Sequence, residues 1–420
     1  MRKEQVDIAI IGGGPAGLAA AVRAKELGVK KVMLIERDAD LGGILNQCIH
    51  DGFGLIRFKK QLSGCEYAQR FVDMVHQNDI QVMLGAMVLE LHPDKTLLVT
   101  SEKEGLTQVD AGAVILAMGC RERTRSQVGI MGSRPAGVLT AGAVQKYINV
   151  EGFLPGKRAV ILGSGDIGLI MARRMTLEGI QVEGVYEVMP SPGGLRRNVV
   201  QCLEDYGIPL HLSTTVTAIH GKERITGVTV AQVDAQRKPI KRTERQIACD
   251  LLVLSVGLIP ENELSRGAGI MLSSITRGPL VDDGMMTSVP GIFAAGNVAA
   301  VFDLVDYVSA TGERAAASAA AYLKKGAPVG SSYAIEAGEN VSFVLPQSYK
   351  SPEEDDTCTL YLRVRKPMTN AKAIVKCGEK IVAQKHYKVA APPEMMAIPI
   401  QLSAGMSGGV TVDVLEEEGK

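Results

Sequence analysis

The sequence predicts an α/β protein with two Rossmann-like dinucleotide-binding domains and a small all-β domain at its C-terminal end. Three observations predict this. Residues 6–17, VDIAIIGGGPAG, run from an aliphatic stretch into Gly12, Gly14 and Gly17. Residues 158–168, RAVILGSGDIG, repeat that spacing with Gly163, Gly165 and Gly168. From about residue 340 the chain turns to short β-type runs separated by Pro and Gly.

In the first repeat a buried strand leads into the glycines, and a helix-forming stretch from Pro15 and Ala16 onward is closed by Gly28. Strand, glycines and helix in that order are the context this motif needs. Gly12 permits the tight turn, Gly14 lets a pyrophosphate approach the backbone, and Gly17 lets helix and strand pack closely. The helix N-terminus offers N–H donors and a positive dipole end to the phosphates. A second strand, KVMLIE, ends at Glu36, 19 residues after Gly17, where a carboxylate can accept bonds from the ribose hydroxyls.

After Glu36 comes LGGILNQCIHDGFG, a glycine-rich bend around a short helix-like segment, then an amphipathic helix over roughly 64–78. IQVMLGAMVLEL, TLLVTSE and LTQVDA read as an antiparallel meander, and AGAVILAMG (111–119) as a buried strand ending at a glycine. The basic run Arg121, Arg123, Arg125 follows; it suits an anionic substrate, a solvated basic edge or a partner surface. In the second repeat Asp166 and Ile167 stand between Gly165 and Gly168, and QVEGVYE ends at Glu187, again 19 residues after the last glycine. Two copies of one spacing imply two bound dinucleotides. The acid favours a free ribose 2′-hydroxyl over a 2′-phosphate, hence NADH over NADPH, with Arg196 and Arg197 close enough in sequence to bear on that choice. CDLLVLSVGLIPEN (249–262) closes this unit, TSVPGIFAAGNVA (287–299) gives a turn and a strand, an alanine-rich helix ends at Gly326, and APVGSS is a linker.

Composition bounds the partners. At 420 residues two or three domains are expected, and a formal net charge of zero gives no footprint for nucleic acid or an anionic membrane. No apolar run is long enough to span a membrane, and the first strand begins too near Met1 for a signal peptide, so a cytoplasmic protein is expected. The seven cysteines, 48, 65, 120, 202, 249, 358 and 377, contain no CxxC pair, so neither a metal site nor a thioredoxin-type disulfide is expected.

The order GxGxxG with a distant Glu, AMG at 117–119, an inserted second GxGxxG and GIFAAGN at 291–297 resembles the two-dinucleotide flavoproteins related to thioredoxin reductase and the pyridine nucleotide–disulfide oxidoreductases. The resemblance implies an FAD domain over 1–121 and 251–328, an NAD domain inserted at 122–250, and the β domain at 329–420. It implies FAD contacts from Gly12, Gly14, Pro15, Ala16, Gly17, Glu36, Arg37, Gly43, Ala117, Gly119, Gly296 and Asn297. For NAD it implies Gly163, Gly165, Asp166, Ile167, Gly168, Glu187 and Gly257. LGGILNQCIHDGFG, CRERTR, RPAGVLTAG, ILGSGDIGLIMARR, QCLEDYGIPL and GNVAAVFDLVDYVS are similar to the branch encoded beside FAD-dependent glycerol-3-phosphate dehydrogenases; RPAGVLTAG is also similar to a stretch in opine and amine dehydrogenase large subunits.

Two departures matter. Asn297 stands where the superfamily has a ribityl-binding Asp; an amide can still accept and donate. Gly43 stands five residues before Cys48, so the redox disulfide is missing and disulfide reduction does not carry over. Cys48 and His50 are the candidate catalytic residues: either a thiolate aided by His50 forms a flavin adduct or a sulfenate, or the thiol only shapes the flavin pocket. Asp303 and Asp306 either tune the flavin or cap the last helix. The expected function is hydride transfer between NAD(H) and flavin, with electrons passing to or from a partner flavoprotein dehydrogenase such as one for glycerol 3-phosphate. The alternatives are an electron-transfer subunit with little activity alone and a redox-sensing dinucleotide-binding protein. The β domain is expected to dock the partner or to mediate self-association as a homo-oligomer.

Overall fold

The computed structural model describes residues 1–417. They form two compact units, one from residues 1–120 and 260 onward, the other spanning residues 121–259. The second unit ends later than the 122–250 segment expected, because Leu251–Leu254 hydrogen-bonds into its sheet beside Arg158–Leu162. That backbone pairing, and not the motif position, fixes where the strand belongs.

The first unit is centred on a sheet ordered Gln81–Met83, Val32–Ile35, Arg2–Ile11 and Gly105–Leu116, with Ile292–Ala294 along the far side of the last strand. All of these neighbours are parallel. The register places Ile11 opposite both Ile35 and Leu116, and Leu116 opposite Ala294. Four strands therefore end at one level, and Gly12, Glu36, Ala117 and Ala295 follow at one edge. In an open parallel sheet this carboxyl edge is where ligands bind.

The meander differs from the expectation in one respect. LTQVDA and AGAVIL are one strand, Gly105–Leu116, not two. Its first half pairs antiparallel with Thr96–Ser101 and its second half runs parallel beside Ile292–Ala294. Gln81–Met83 belongs to the parallel part, while Ala86–Leu91 pairs with Thr96–Ser101. A strand buried at one end and half-exposed at the other shows both patterns in sequence and looks like two.

Helix Pro15–Glu26 packs on this sheet through Leu18, Ala19, Ala20, Ala21 and Val22. Helix Val305–Lys325 lies against it so closely that a Cβ on Gly312 would sit 2.2 Å from the Ala16 carbonyl oxygen. A third long helix, Gly64–Gln77, starts with a capping box between Ser63 and Glu66.

The second unit repeats the plan. Its parallel sheet is ordered Val138–Thr140, Leu251–Leu254, Arg158–Leu162, Gln181–Tyr186 and Leu210–His211. One face packs on helices Ala141–Asn149, Asp166–Leu177 and Arg196–Cys202. The other face, through Val160, Leu162, Tyr186 and Leu252, packs on an antiparallel sheet formed by Thr214–Gly221, Ile225–Gln232 and Arg245–Ala248.

The C-terminal residues form the expected all-β domain of two sheets. One is ordered Ser348–Lys350, Ser332–Ala337, Val410–Glu416, Met368–Cys377 and Lys380–Ala390; the other is Val341–Leu345, Asp356–Val364 and Met396–Leu402. Their facing side chains, among them Ile335, Val344, Leu360, Leu362, Val375, Ile398 and Val412, make a core of their own. The domain is not detached, however. Leu345, Tyr361 and Met395 join the core of the first dinucleotide-binding domain. Arg314 ties the two by reaching both Asp283 and Asp356, at 3.3 and 2.6 Å.

Candidate functional site

The two glycine loops are built alike, down to individual atoms. Gly12 has φ +105° and Gly163 φ +93°, a backbone region that side-chain-bearing residues rarely enter. A Cβ on Gly12 would fall 2.4 Å from the Ala117 carbonyl oxygen, and one on Gly163 would fall 2.1 Å from that of Ser255. Gly17 is pressed against Gly12, where a Cβ would lie 1.8 Å from its carbonyl oxygen. Gly14 is the opposite case: a Cβ there would meet nothing within 4 Å. The backbone is thus open at Gly14, where the motif leads one to expect a pyrophosphate, and closed at Gly12 and Gly17, where strand and helix meet.

The helices that follow start without side-chain caps. Gly14 is the N-cap of Pro15–Glu26 and Gly165 that of Asp166–Leu177, and neither can supply a capping oxygen. A helix N-terminus of this kind offers first-turn amides to an anion, except Pro15, which has no N–H, and Gly168, whose amide donates to the Ser255 hydroxyl. The residues present fit two phosphate-bearing cofactors.

The acids do more than the sequence suggests. Glu36 is buried at 5 % exposure; its Oε2 accepts from the Gly13 amide at 2.6 Å and its Oε1 from the Asp38 amide at 2.8 Å. Glu187, at 7 %, repeats this. Its Oε2 accepts from the Ser164 amide at 2.9 Å and hydroxyl at 2.6 Å, and its Oε1 from the Met189 amide at 2.9 Å. Backbone donors offset the cost of burying each charge. Each carboxylate also pins the middle residue of its glycine loop, 23 positions away, so the acid holds the loop's shape while keeping lone pairs for a ribose. Gly13 and Ser164 were not singled out by the sequence, nor was Ser255, whose hydroxyl accepts from the Gly168 amide at 3.1 Å. Aligning LAMG with LSVG would have found Ser255, because it takes the place of Ala117.

In the second unit Asp166 binds the loop that follows Glu187. Its Oδ1 accepts from the Leu195 amide at 2.8 Å and from the Asn198 side chain at 2.6 Å, while the Gly193 amide donates to the Ser164 hydroxyl at 2.8 Å. Arg196 is paired with Glu204 at 2.7 Å, and Arg197 is exposed. Gly257, with φ +102°, accepts from the Arg123 amide at 3.0 Å, and Ile167 lies in the helix's first turn. Arg125 donates to the carbonyls of Ile130, Gly132 and Ser133, which makes it an organiser of its own loop.

In the first unit the segment after Glu36 returns to the glycine loop. The Gly42 amide donates to the Gly13 carbonyl at 2.9 Å, and a Cβ on Gly43 would lie 3.1 Å from the Gly14 Cα. Arg37 is exposed beside Glu36, and Gly119 has φ +70° just after Ala117. Cys48 is buried at the end of the short turn Gly43–Gln47, with its thiol on the Ile44 carbonyl at 3.3 Å. His50 lies by the Phe53 ring, 5.2 Å between centroids. Cys65 comes back to the same turn, its sulfur 3.3 Å from the Asn46 carbonyl. No disulfide is formed among the described residues.

Gly296 and Asn297 lie past the end of Ile292–Ala294, at the same carboxyl edge. The Gly296 amide donates to Thr311 Oγ1 at 2.9 Å. The half-buried Asn297 accepts from the Phe302 amide at 3.0 Å through Oδ1 and directs Nδ2 to Cys120 Sγ at 3.7 Å. Asp306 does not cap the last helix. The helix starts at Val305 with Leu304 as an N-cap that makes no side-chain bond, so Asp306 stands in the first turn and reaches sideways. There it accepts from the Ile56 and Arg57 amides at 3.4 and 3.2 Å and holds the 51–58 loop. Asp303 accepts from the Met395 amide at 3.1 Å and so belongs to the contact with the β domain.

The family model described as "Pyridine nucleotide-disulphide oxidoreductase" matches residues 6–321. Hydrogen cyanide synthase subunit HcnB of Pseudomonas protegens is 29 % identical over 62 % of this chain and 58 % of its own length. An opine oxidase subunit from Agrobacterium tumefaciens is 26 % identical over 76 % of this chain and 66 % of its own length. This chain therefore spans less than two thirds of those relatives. Among solved structures, thioredoxin reductase of T. acidophilum is 25 % identical, covering 76 % of this chain and 98 % of its own, with a TM-score of 0.62. Among the described residues no helix is long and apolar enough to cross a membrane.

Proposed function

The chain belongs to the pyridine nucleotide-disulphide oxidoreductase family, and from that premise we infer that it is an FAD-dependent oxidoreductase exchanging a hydride with NAD(H) and passing electrons to or from a partner dehydrogenase. The observation that carries this reading is the duplicated site: two glycine loops, each pinned by a buried glutamate, each leading into a helix with a glycine N-cap. Bound FAD and nicotinamide supply the hydride chemistry. The chain's own residues bind and orient them: Gly12, Gly14, Pro15, Ala16, Gly17 and Glu36 hold FAD with Asn297 on its ribityl chain, and Gly163 to Gly168 with Glu187 hold NAD.

A partner is supported by two relatives whose names make them subunits of larger enzymes. A flavoprotein dehydrogenase acting on glycerol 3-phosphate or a similar small substrate fits the sequence resemblance. The second reading, an electron-transfer subunit with little activity alone, is favoured by the missing cysteine pair, since Gly43 precedes Cys48 where a disulfide reductase would carry its first cysteine.

Glu187 argues for NADH. A 2′-phosphate at the ribose would face its carboxylate, a repulsion on the order of 4 kcal/mol for unit charges 4 Å apart at an effective dielectric near 20. Arg196 is engaged with Glu204 in an exposed ion pair. Anaerobic flavin reduction by the two nucleotides tests this: NADH should be at least tenfold more efficient, and equal efficiency would mean that a cation such as Arg197 reaches the phosphate.

A further inference from the structure

We propose that Arg363 of the C-terminal β domain is a positioning residue for the flavin site, acting through the 301–303 segment on Asn297; this rests on the reading that Asn297 faces the flavin. The segment between Val298 and Val305 has no regular secondary structure, so nothing in a helix or sheet ladder fixes it. The β domain supplies what holds it. Arg363 Nη2 donates to the Val301 carbonyl at 3.2 Å and stands 3.9 Å from Asp303 Oδ1. Its Nη1 donates to the carbonyls of Pro392, at 3.2 Å, and Pro393. The 392–395 turn thus gathered places the Met395 amide on Asp303 Oδ2 at 3.1 Å.

Between those two anchored residues, Phe302 packs edge-on against Tyr361 of the β domain, with centroids 5.2 Å apart at 85°. The Phe302 amide is the donor to Asn297 Oδ1. That bond holds Oδ1 on the Phe302 side while Nδ2 is turned to Cys120 Sγ, so it helps to set the plane of the Asn297 amide. A planar five-donor guanidinium is suited to this task, because it serves three carbonyls and a carboxylate at once while its exposure is only 20 %. A lysine keeps the charge opposite Asp303 but cannot hold the three carbonyls in one plane. The C-terminal domain is by this reasoning a support behind the flavin site, acting through the 301–303 segment.

The test separates positioning from plain domain packing by using a second clamp as control. Arg314 joins the same two domains through Asp283 and Asp356, and no role in the cofactor site is assigned to it. FAD affinity is measured by titrating full-length apoprotein and following flavin fluorescence, beside the melting temperature without FAD. Arg363→Gln should weaken FAD binding at least tenfold, Arg363→Lys should recover part of that loss, and Arg314→Gln should lower the melting temperature yet leave affinity within about twofold. Asn297→Ala should weaken binding too, and adding Arg363→Gln to it should weaken it little further, because the two act through one contact. If Arg363→Gln and Arg363→Lys leave affinity unchanged while Asn297→Ala weakens it, the positioning role is overturned and the Asn297 reading stands. If Asn297→Ala is without effect, that reading falls and the inference falls with it.

Discussion

At the scale of single residues, the two buried glutamates link sequence to function most directly. Spacing alone singles out Glu36 and Glu187 as candidate ribose acceptors, but their bonds to Gly13 and Ser164 are legible only in the fold. The predicted consequence is that Glu36→Gln is not conservative. With Oε1 and Oε2 both accepting from backbone amides, a glutamine must turn its NH2 toward one of them. A donor facing a donor leaves a buried group unsatisfied, at a cost of roughly 1–3 kcal/mol. FAD should dissociate more readily from Glu36→Gln than from the parent, and equal retention in a dialysis measurement would show that the loop does not depend on that acid. Cys48 calls for the opposite outcome. Its thiol is buried and donates to Ile44, so Cys48→Ser should reduce its flavin with NADH within a few fold of the parent and show no long-wavelength thiolate–flavin band; such a band in the parent would assign the thiol a redox role. What sequence could not reach at this scale are partners brought from far along the chain, such as Ser255 on Gly168 or Asp306 on Ile56 and Arg57.

At the scale of elements, the strand–glycine–helix units were legible because each is local and carries its own period and punctuation. Gly105–Leu116 was not, because one strand serves an antiparallel and a parallel neighbour in turn and its burial changes midway. Helix Val305–Lys325 shows a third situation: its alanines announce close packing, yet only the fold reveals that Gly312 is the contact point with Ala16. A methyl group there cannot coexist with the Ala16 carbonyl, so Gly312→Ala must push away the helix that follows the first glycine loop. Overpacking of this kind costs about 1–3 kcal/mol. Gly312→Ala should lower the melting temperature by several degrees and weaken FAD retention together. An unchanged melting temperature would mean that the two helices slide apart at no cost.

At the scale of the whole chain, two dinucleotide domains and an all-β domain were predictable from the repeated glycine spacing and the change of style near residue 340. The standing of the last domain was not. Sequence shows only that it lacks dinucleotide motifs; it does not show that Leu345, Tyr361 and Met395 share a core with the first domain, or that Arg314 and Arg363 bind it there. Removing residues after Gly330 would therefore uncover apolar surface and release the 301–303 segment as well as any docking face, so such a truncation cannot by itself locate a partner. The central claim, that one chain binds FAD and accepts electrons on it from NADH, is tested most directly by the visible spectrum of purified protein before and after anaerobic NADH. The protein should be yellow, with a flavin band that is lost on adding NADH and returns on admitting air. A colourless protein that FAD cannot reconstitute, or a bound flavin that NADH leaves oxidised, would contradict it.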